Sequence, residues 1–342
     1  MPLTFEPPPF SPHPWLRGGH LQTIGALWIP APDRPPARAH RVDLDDGDAL
    51  MLHEDRPPAW QSGDPVVMLA HGLCGCHASG YMVRLADRFL RGGVRVFRMD
   101  LRGCGVGADL ARQLSHAGRS DDLLAAIDFV AGQAPESPLG VVAVSLSGNQ
   151  LLRGLGRIGA GLDSPPPRFE QLSLAMAVAP PIDLLRCATQ LARLRLRPYN
   201  RYFVRQLLGR VPRPMRERED FRRALAAGKP TSLWELDDRL TAPLSGFRDA
   251  PDYYRQAAAK GWWRDLSVKT LVLAASDDPI VPTDCFAEDA GALPPQLHLL
   301  VSPRGGHVGF IGPKRRSWLE DVAAAWFAPF LRNESEPEGR SA

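Results

Sequence analysis

Four short stretches carry residues whose types and order suit nucleophilic chemistry. Ser145 lies in Gly140-Val-Val-Ala-Val-Ser-Leu-Ser-Gly148-Asn149, where an aliphatic run meets a helical pattern beginning at Ser147. The residues two before and two after it, Ala143 and Ser147, are small. A tight strand-to-helix turn requires this, because backbones approach closely there. Such a turn lifts a hydroxyl to the start of a helix, whose unpaired N–H groups and positive dipole end favour a developing oxyanion. His71-Gly72-Leu73 ends an earlier apolar run, and the loop after it can present further backbone N–H groups. Asp277-Asp278-Pro279 follows a late run, and His307 sits in the glycine-flanked loop Gly305-Gly306-His307-Val308-Gly309. Alone, Ser145 also suits an ordinary turn serine and His307 a solvent-facing polar residue. The order Ser, Asp, His after successive strands is what singles them out, since a doubly wound sheet that carries this chemistry uses that order.

The roles follow from the chemistry. Ser145 is the expected nucleophile, His307 the general base, and Asp278 the acid that orients the imidazole. The amides of Leu73 and Leu146 are the expected oxyanion donors, which leaves His71 structural. Asp277 competes with Asp278, but Pro279 starts the turn away from the strand and favours the second acid. His20 is open to two readings, an approach to the site through the N-terminal arm or a structural hydrogen bond. Asp121-Asp122 and Asp237-Asp238 are adjacent in helical patterns and do not face each other, so capping or surface roles are expected of them.

These residues need a scaffold, and the apolar runs supply one. A hairpin over 39–44 and 49–55 flanks Asp46-Gly47. Runs rich in β-branched and aliphatic residues at 65–70, 94–99, 140–144, 172–179, 270–275 and 296–301 read as strands covered on both faces. Helical patterns at 79–91, 121–133 and 317–331 alternate with them, the first stopped by Gly92-Gly93 and the second capped by Ser120. Strand–helix alternation with short connections predicts an α/β fold with a doubly wound, mostly parallel sheet. The expected organisation is an N-terminal arm (1–38), two core segments (39–180 and 266–332), a helical insertion between them (181–265), and a disordered polar tail (333–342).

Composition bounds the function. The chain has 342 residues, 44% hydrophobic and 23% charged, which excludes a disordered chain. With 41 basic and 38 acidic residues, near balance argues against a dedicated nucleic-acid binder. Eleven arginines and three acids between 193 and 223 give the insertion a local charge of +8. That suits a solvated helical face, or a lid that meets anionic lipid. Five scattered cysteines form no disulfide framework and point to a reducing compartment, and Cys74 and Cys76 lack partners at zinc spacing. No signal peptide or long apolar run is evident, so a cytoplasmic protein is expected.

Together the motifs resemble the α/β-hydrolase superfamily, and within it the YheT-like branch of esterase- and lipase-type proteins. The resemblance spans residues 12–331. It rests on His20-Leu-Gln-Thr23, His71-Gly72, Arg102-Gly103-Cys104, Ser145-Leu-Ser-Gly-Asn149, Leu236-Asp-Asp-Arg-Leu-Thr241, Asp252-Tyr-Tyr254, Asp277-Asp278-Pro279 and Gly305-Gly-His-Val-Gly-Phe310. Members usually carry glycine where this chain has Ala143 and Ser147. The resemblance implies an α/β-hydrolase fold with an inserted helical lid, a Ser145–His307–Asp278 triad, and cleavage of carboxylic esters of small molecules or lipids without cofactor or metal. An acyltransferase on the same fold, with an alcohol as acceptor, is the alternative. A dinucleotide-binding oxidoreductase is a further one, because Gly103-Cys-Gly105-Val-Gly-Ala108 fits G-x-G-x-x-A after a strand. Peripheral membrane contact through the arginine-rich lid is a possible partner interaction.

Overall fold

The computed structural model describes residues 5–34, 36–287 and 293–331; the tail expected to be disordered, 333–342, lies outside them. Eight strands form one sheet: β1 (Arg38–Asp43), β2 (Ala49–Asp55), β3 (Val66–Ala70), β4 (Arg95–Asp100), β5 (Leu139–Val144), β6 (Leu172–Val178), β7 (Lys269–Ala275) and β8 (Leu297–Ser302). Their order is β1-β2-β4-β3-β5-β6-β7-β8. The hairpin β1–β2 joins β4 antiparallel, and β4 through β8 run parallel.

Side-chain alternation along the strands divides the core. Val67, Leu69, Val142, Val144 and Met176 face one layer with Leu85 and Phe89 of α2 (Gly80–Arg91) and Leu319 and Val322 of the C-terminal helix (Trp318–Trp326). Met68, Val141, Ala143 and Ala175 face the other, against Ile127 and Val130 of α3 (Ser120–Gln133) and Leu151 and Leu155 of α4 (Leu146–Gly159). A strand covered on both faces needs apolar residues at consecutive positions, which is why the runs were continuous rather than alternating. Helix α2 ends as expected, with Gly93 at φ 80° donating to Leu90 and Val94 donating to Phe89. Ser120 does not cap α3: it lies inside the helix, and its hydroxyl accepts from Arg153. The C-terminal helix stops at Trp326, short of the expected 331, with Pro329 in a short 3-10 turn beyond it.

Between β6 and β7 the described chain is helical. Helices α5 (Leu184–Leu191) and α6 (Arg197–Gly209) come first, and shorter helices lead to Ala250–Ala257. This insertion carries a small cluster of its own, Val204, Met215, Phe221, Leu236 and Leu240. No helix of the described residues is long and apolar enough to cross a membrane.

Candidate active site

Strands β3, β5, β7 and β8 belong to one parallel set, with β6 between β5 and β7, and the segment after each of the four delivers one part of the site. Ser145 follows β5 directly and begins α4 with φ 54° and ψ −113°. A residue with a Cβ in that region carries strain of roughly 1–3 kcal/mol, tolerated only where the surroundings enforce it. Here its N–H donates to Val178 at 2.7 Å and its carbonyl accepts from Asn149 at 3.1 Å. The buried Asn149 amide donates to Ala117 and Ala257 and accepts from Ala259, so it ties α4 to the end of the insertion. Ser147 is accommodated where a glycine is usual because its hydroxyl donates to His71 C=O at 2.5 Å.

The Ser145 hydroxyl lies 2.9 Å from His307 Nε2, and His307 Nδ1 lies 2.8 Å from Asp278 Oδ2. The other Asp278 oxygen accepts from Ile280 and Val281 at 2.7 and 3.0 Å. Asp277 points elsewhere: it accepts from Gly306 N–H at 2.8 Å and so braces the histidine loop. That loop has a second brace the sequence did not disclose. Thr23 Oγ accepts from His307 N–H at 2.8 Å while donating to Gly19 C=O at 2.7 Å. Gln22, fully buried, accepts from Ile311 N–H and donates to Ile311 C=O. The only sequence signal for these roles was the His20-Leu-Gln-Thr23 motif. His20 itself is exposed and meets Tyr199 OH at 3.2 Å.

The loop after β3 faces the serine closely. A Cβ on Gly72 would stand 3.0 Å from Ser145 Cβ and 3.3 Å from Val144 C=O, so a side chain there would crowd the serine turn. Among the described residues, the amides of Leu73 and Leu146 donate to no protein acceptor, and both residues line the cavity that contains Ser145 and His307. His71 is buried, and burial pushes its pKa down to about 4. Its Nε2 accepts from Leu101 N–H and its Nδ1 donates to Gly72 C=O, which makes it a neutral structural group. Burial pushes the Cys74 and Cys104 thiols beside this loop up to about 12, so neither competes as a thiolate.

The cavity measures about 750 Å³. Its walls include Leu184 and Leu191 from α5, Tyr199 and Phe203 from α6, and Leu236 and Leu240 farther along the insertion. Arg210 reaches from the insertion to donate to Cys74 C=O.

Other constellations resolve differently. Asp122 is not a surface acid: it receives two hydrogen bonds from the buried Arg102, which also reaches Asp48. Asp238 caps Ala250 N–H, whereas Asp237 is buried against Tyr254 OH at 2.8 Å. The glycine-rich segment forms a 3-10 turn, Gly105–Leu110, wrapped around the Asp100 carboxylate. A Cβ on Gly105 would meet that carboxylate at about 2 Å, and Val106 N–H donates to it. An acid therefore fills the place where a pyrophosphate would need donors, and the dinucleotide reading does not fit. Asp100 also gathers His53 at 3.0 Å and His77 at 2.8 Å. The two imidazoles stack 3.4 Å apart at 14°, and nearly parallel rings cannot both aim in-plane lone pairs at one ion. Burial would raise the Asp100 carboxyl, but the hydrogen bonds from His53 and His77 outweigh it and hold the group well below its usual range.

Comparison with known proteins agrees with this architecture. Residues 65–313 match the family model described as alpha/beta hydrolase fold. Over 338 residues the chain is 28% identical to "Putative esterase YheT" of Escherichia coli (strain K12), covering 95% of each. It is 26% identical over 265 residues to "Phospholipase ABHD3" of Mus musculus, covering 75% of this chain and 62% of that one. A solved esterase of Pyrococcus furiosus superposes with a TM-score of 0.56 at 16% identity, covering 96% of this chain and 99% of that one. The serine-bearing turn, the eight-stranded sheet and the family match converge: this chain belongs to the α/β-hydrolase fold family.

Proposed function

We propose that the protein is a serine hydrolase that cleaves carboxylic esters through a Ser145–His307–Asp278 triad and a covalent acyl-enzyme. The observation that carries this reading is the continuous relay from the Ser145 hydroxyl through His307 to Asp278, with links of 2.9 and 2.8 Å, opening into an apolar cavity. Ser145 Oγ attacks the ester carbonyl while His307 Nε2 takes its proton. Asp278 keeps the Nδ1 proton in place and stabilises the imidazolium. The unspent amides of Leu73 and Leu146 receive the oxyanion. His307 then protonates the leaving alcohol, and a water deprotonated by the same imidazole releases the acid. Residues 181–265 act as a lid whose leucines and aromatics hold the acyl chain. The relatives named esterase and phospholipase support an ester or lipid substrate, and the arginines of the lid suit contact with anionic lipid.

A fluorophosphonate probe should label the wild-type chain and leave Ser145→Ala unlabelled. Turnover of p-nitrophenyl esters should fall in that variant by on the order of a millionfold, toward the background rate. Equal labelling of the two proteins would reject the nucleophile. Supplying an alcohol during turnover identifies the acceptor: formation of a new ester would make the enzyme an acyltransferase.

A further inference from the structure

Two elements that border the cavity carry surface features that ester cleavage does not use. The first is apolar. Leu27 and Trp28, in the short turn after α1 (Gly19–Gly25), are 72% and 69% exposed, and Leu21 and Ile24 of α1 are exposed beside them. The second is cationic. Arg197, Arg201 and Arg205 recur every fourth residue on α6, which places them in one row along the helix, and all three are exposed. Like charges at this spacing repel, and among the described residues none of the three has a carboxylate partner. The contrast lies within the same segment, where Arg213, Arg218 and Arg223 each pair with an acid. The arginine row lacks its counter-charge, and the exposed leucine and tryptophan lack a cover.

The elements that carry the two features meet at one opening. Leu27 and Tyr202 both line the cavity, although each is well exposed, so they stand at its mouth from two different elements. His20 and Tyr199 join those elements by a hydrogen bond of 3.2 Å. We propose that this rim docks on a bilayer rich in anionic phospholipid. The Arg197–Arg201–Arg205 row meets the phosphates, while Leu27 and Trp28 enter the acyl boundary, so that the mouth opens onto the lipid. The paired signals are what a lipid surface offers together: negative headgroups and, a few ångströms deeper, hydrocarbon. The purpose of the docking, delivery of a membrane-resident acyl ester to Ser145, rests on the hydrolase reading above; the docking itself does not.

Flotation of the full-length chain with vesicles tests it. Binding is expected to vesicles that are one-third phosphatidylglycerol and not to pure phosphatidylcholine, and high salt should weaken it. An Arg197→Glu/Arg201→Glu/Arg205→Glu variant should lose on the order of a hundredfold or more in affinity. Trp28→Asp should also lose affinity, even with the arginines intact. Both variants should hydrolyse a water-soluble short-chain ester at the wild-type rate and melt at the wild-type temperature, which shows that the fold is preserved. Equal binding to the two vesicle types, or undiminished binding by either variant, would overturn the proposal. Failure to bind vesicles with soluble-ester turnover intact would overturn the docking and leave the hydrolase standing. Binding without any ester turnover would retain the docking and remove the hydrolase reading.

Discussion

Two neighbouring acids at the end of β7 have different partners, and their different environments make them separable by experiment. Asp278 spends one oxygen on His307 and the other on two backbone amides, so its carboxylate is held in a fixed plane. An asparagine there can offer the imidazole an amide N–H, which selects the wrong tautomer. Asp278→Asn should therefore lower kcat by roughly 10³–10⁴, with KM little changed. Asp277→Asn removes a charge but keeps an oxygen for Gly306 N–H. Its loss should stay near one hydrogen bond, about 1 kcal/mol or roughly fivefold in rate. Steady-state kinetics on a soluble ester distinguish the two. If Asp277→Asn proved the more damaging, the assignment of the triad acid would be wrong.

At the scale of elements, the helical insertion contains a buried carboxyl that should set a pH dependence of stability. Asp237 opens a π-helical turn, Asp237–Thr241, in the wall of the cavity. Burial pushes its pKa up to about 6, against the hydrogen bonds from Thr241 and Tyr254 that favour the anion. The unfolded chain releases this proton near pH 4, so between about pH 4 and 6 the folded state holds a proton that the unfolded state has lost. Stability must then fall as pH rises through that window, by about 3 kcal/mol in all. Asp237→Asn keeps an acceptor for Tyr254 without the ionisation. It should melt a few degrees above wild type at pH 7 and close to it at pH 4. Melting curves that differ by the same amount at both pH values would refute this origin. The sheet was far more legible than the helical insertion. Continuous runs such as Val66–Ala70 reveal a strand covered on both faces, and Ala143 and Ser147 disclosed the turn because crowding restricts side-chain size locally. Asp237 and Asp122 looked like exposed helix acids, since their partners Tyr254 and Arg102 lie 17 and 20 residues away in sequence.

Across the whole molecule, the N-terminal segment acts as a strap over the C-terminal half rather than as a detached arm. Phe10 stacks on Trp318 with ring centres 4.8 Å apart, and Trp318 Nε1 donates to Pro8 C=O. Gln22 then joins Leu16 and both backbone groups of Ile311, 289 residues away, just past the loop that holds His307. No local pattern encodes such a bond; only the folded chain, which sets the loop after β8 against the N-terminal segment, gives Gln22 its partner. Gln22→Ala would strand the buried N–H of Ile311, at a cost of about 1–3 kcal/mol, whereas Ile311 C=O keeps the N–H of His13 as a donor. Thermal denaturation should register the loss as a drop of several degrees. Because Thr23 of the same helix holds His307 N–H, loosening the strap should also lower kcat several-fold while leaving KM for a soluble ester nearly unchanged. A Gln22→Ala enzyme with lowered melting temperature and undiminished kcat would show that the strap stabilises the fold without positioning the base.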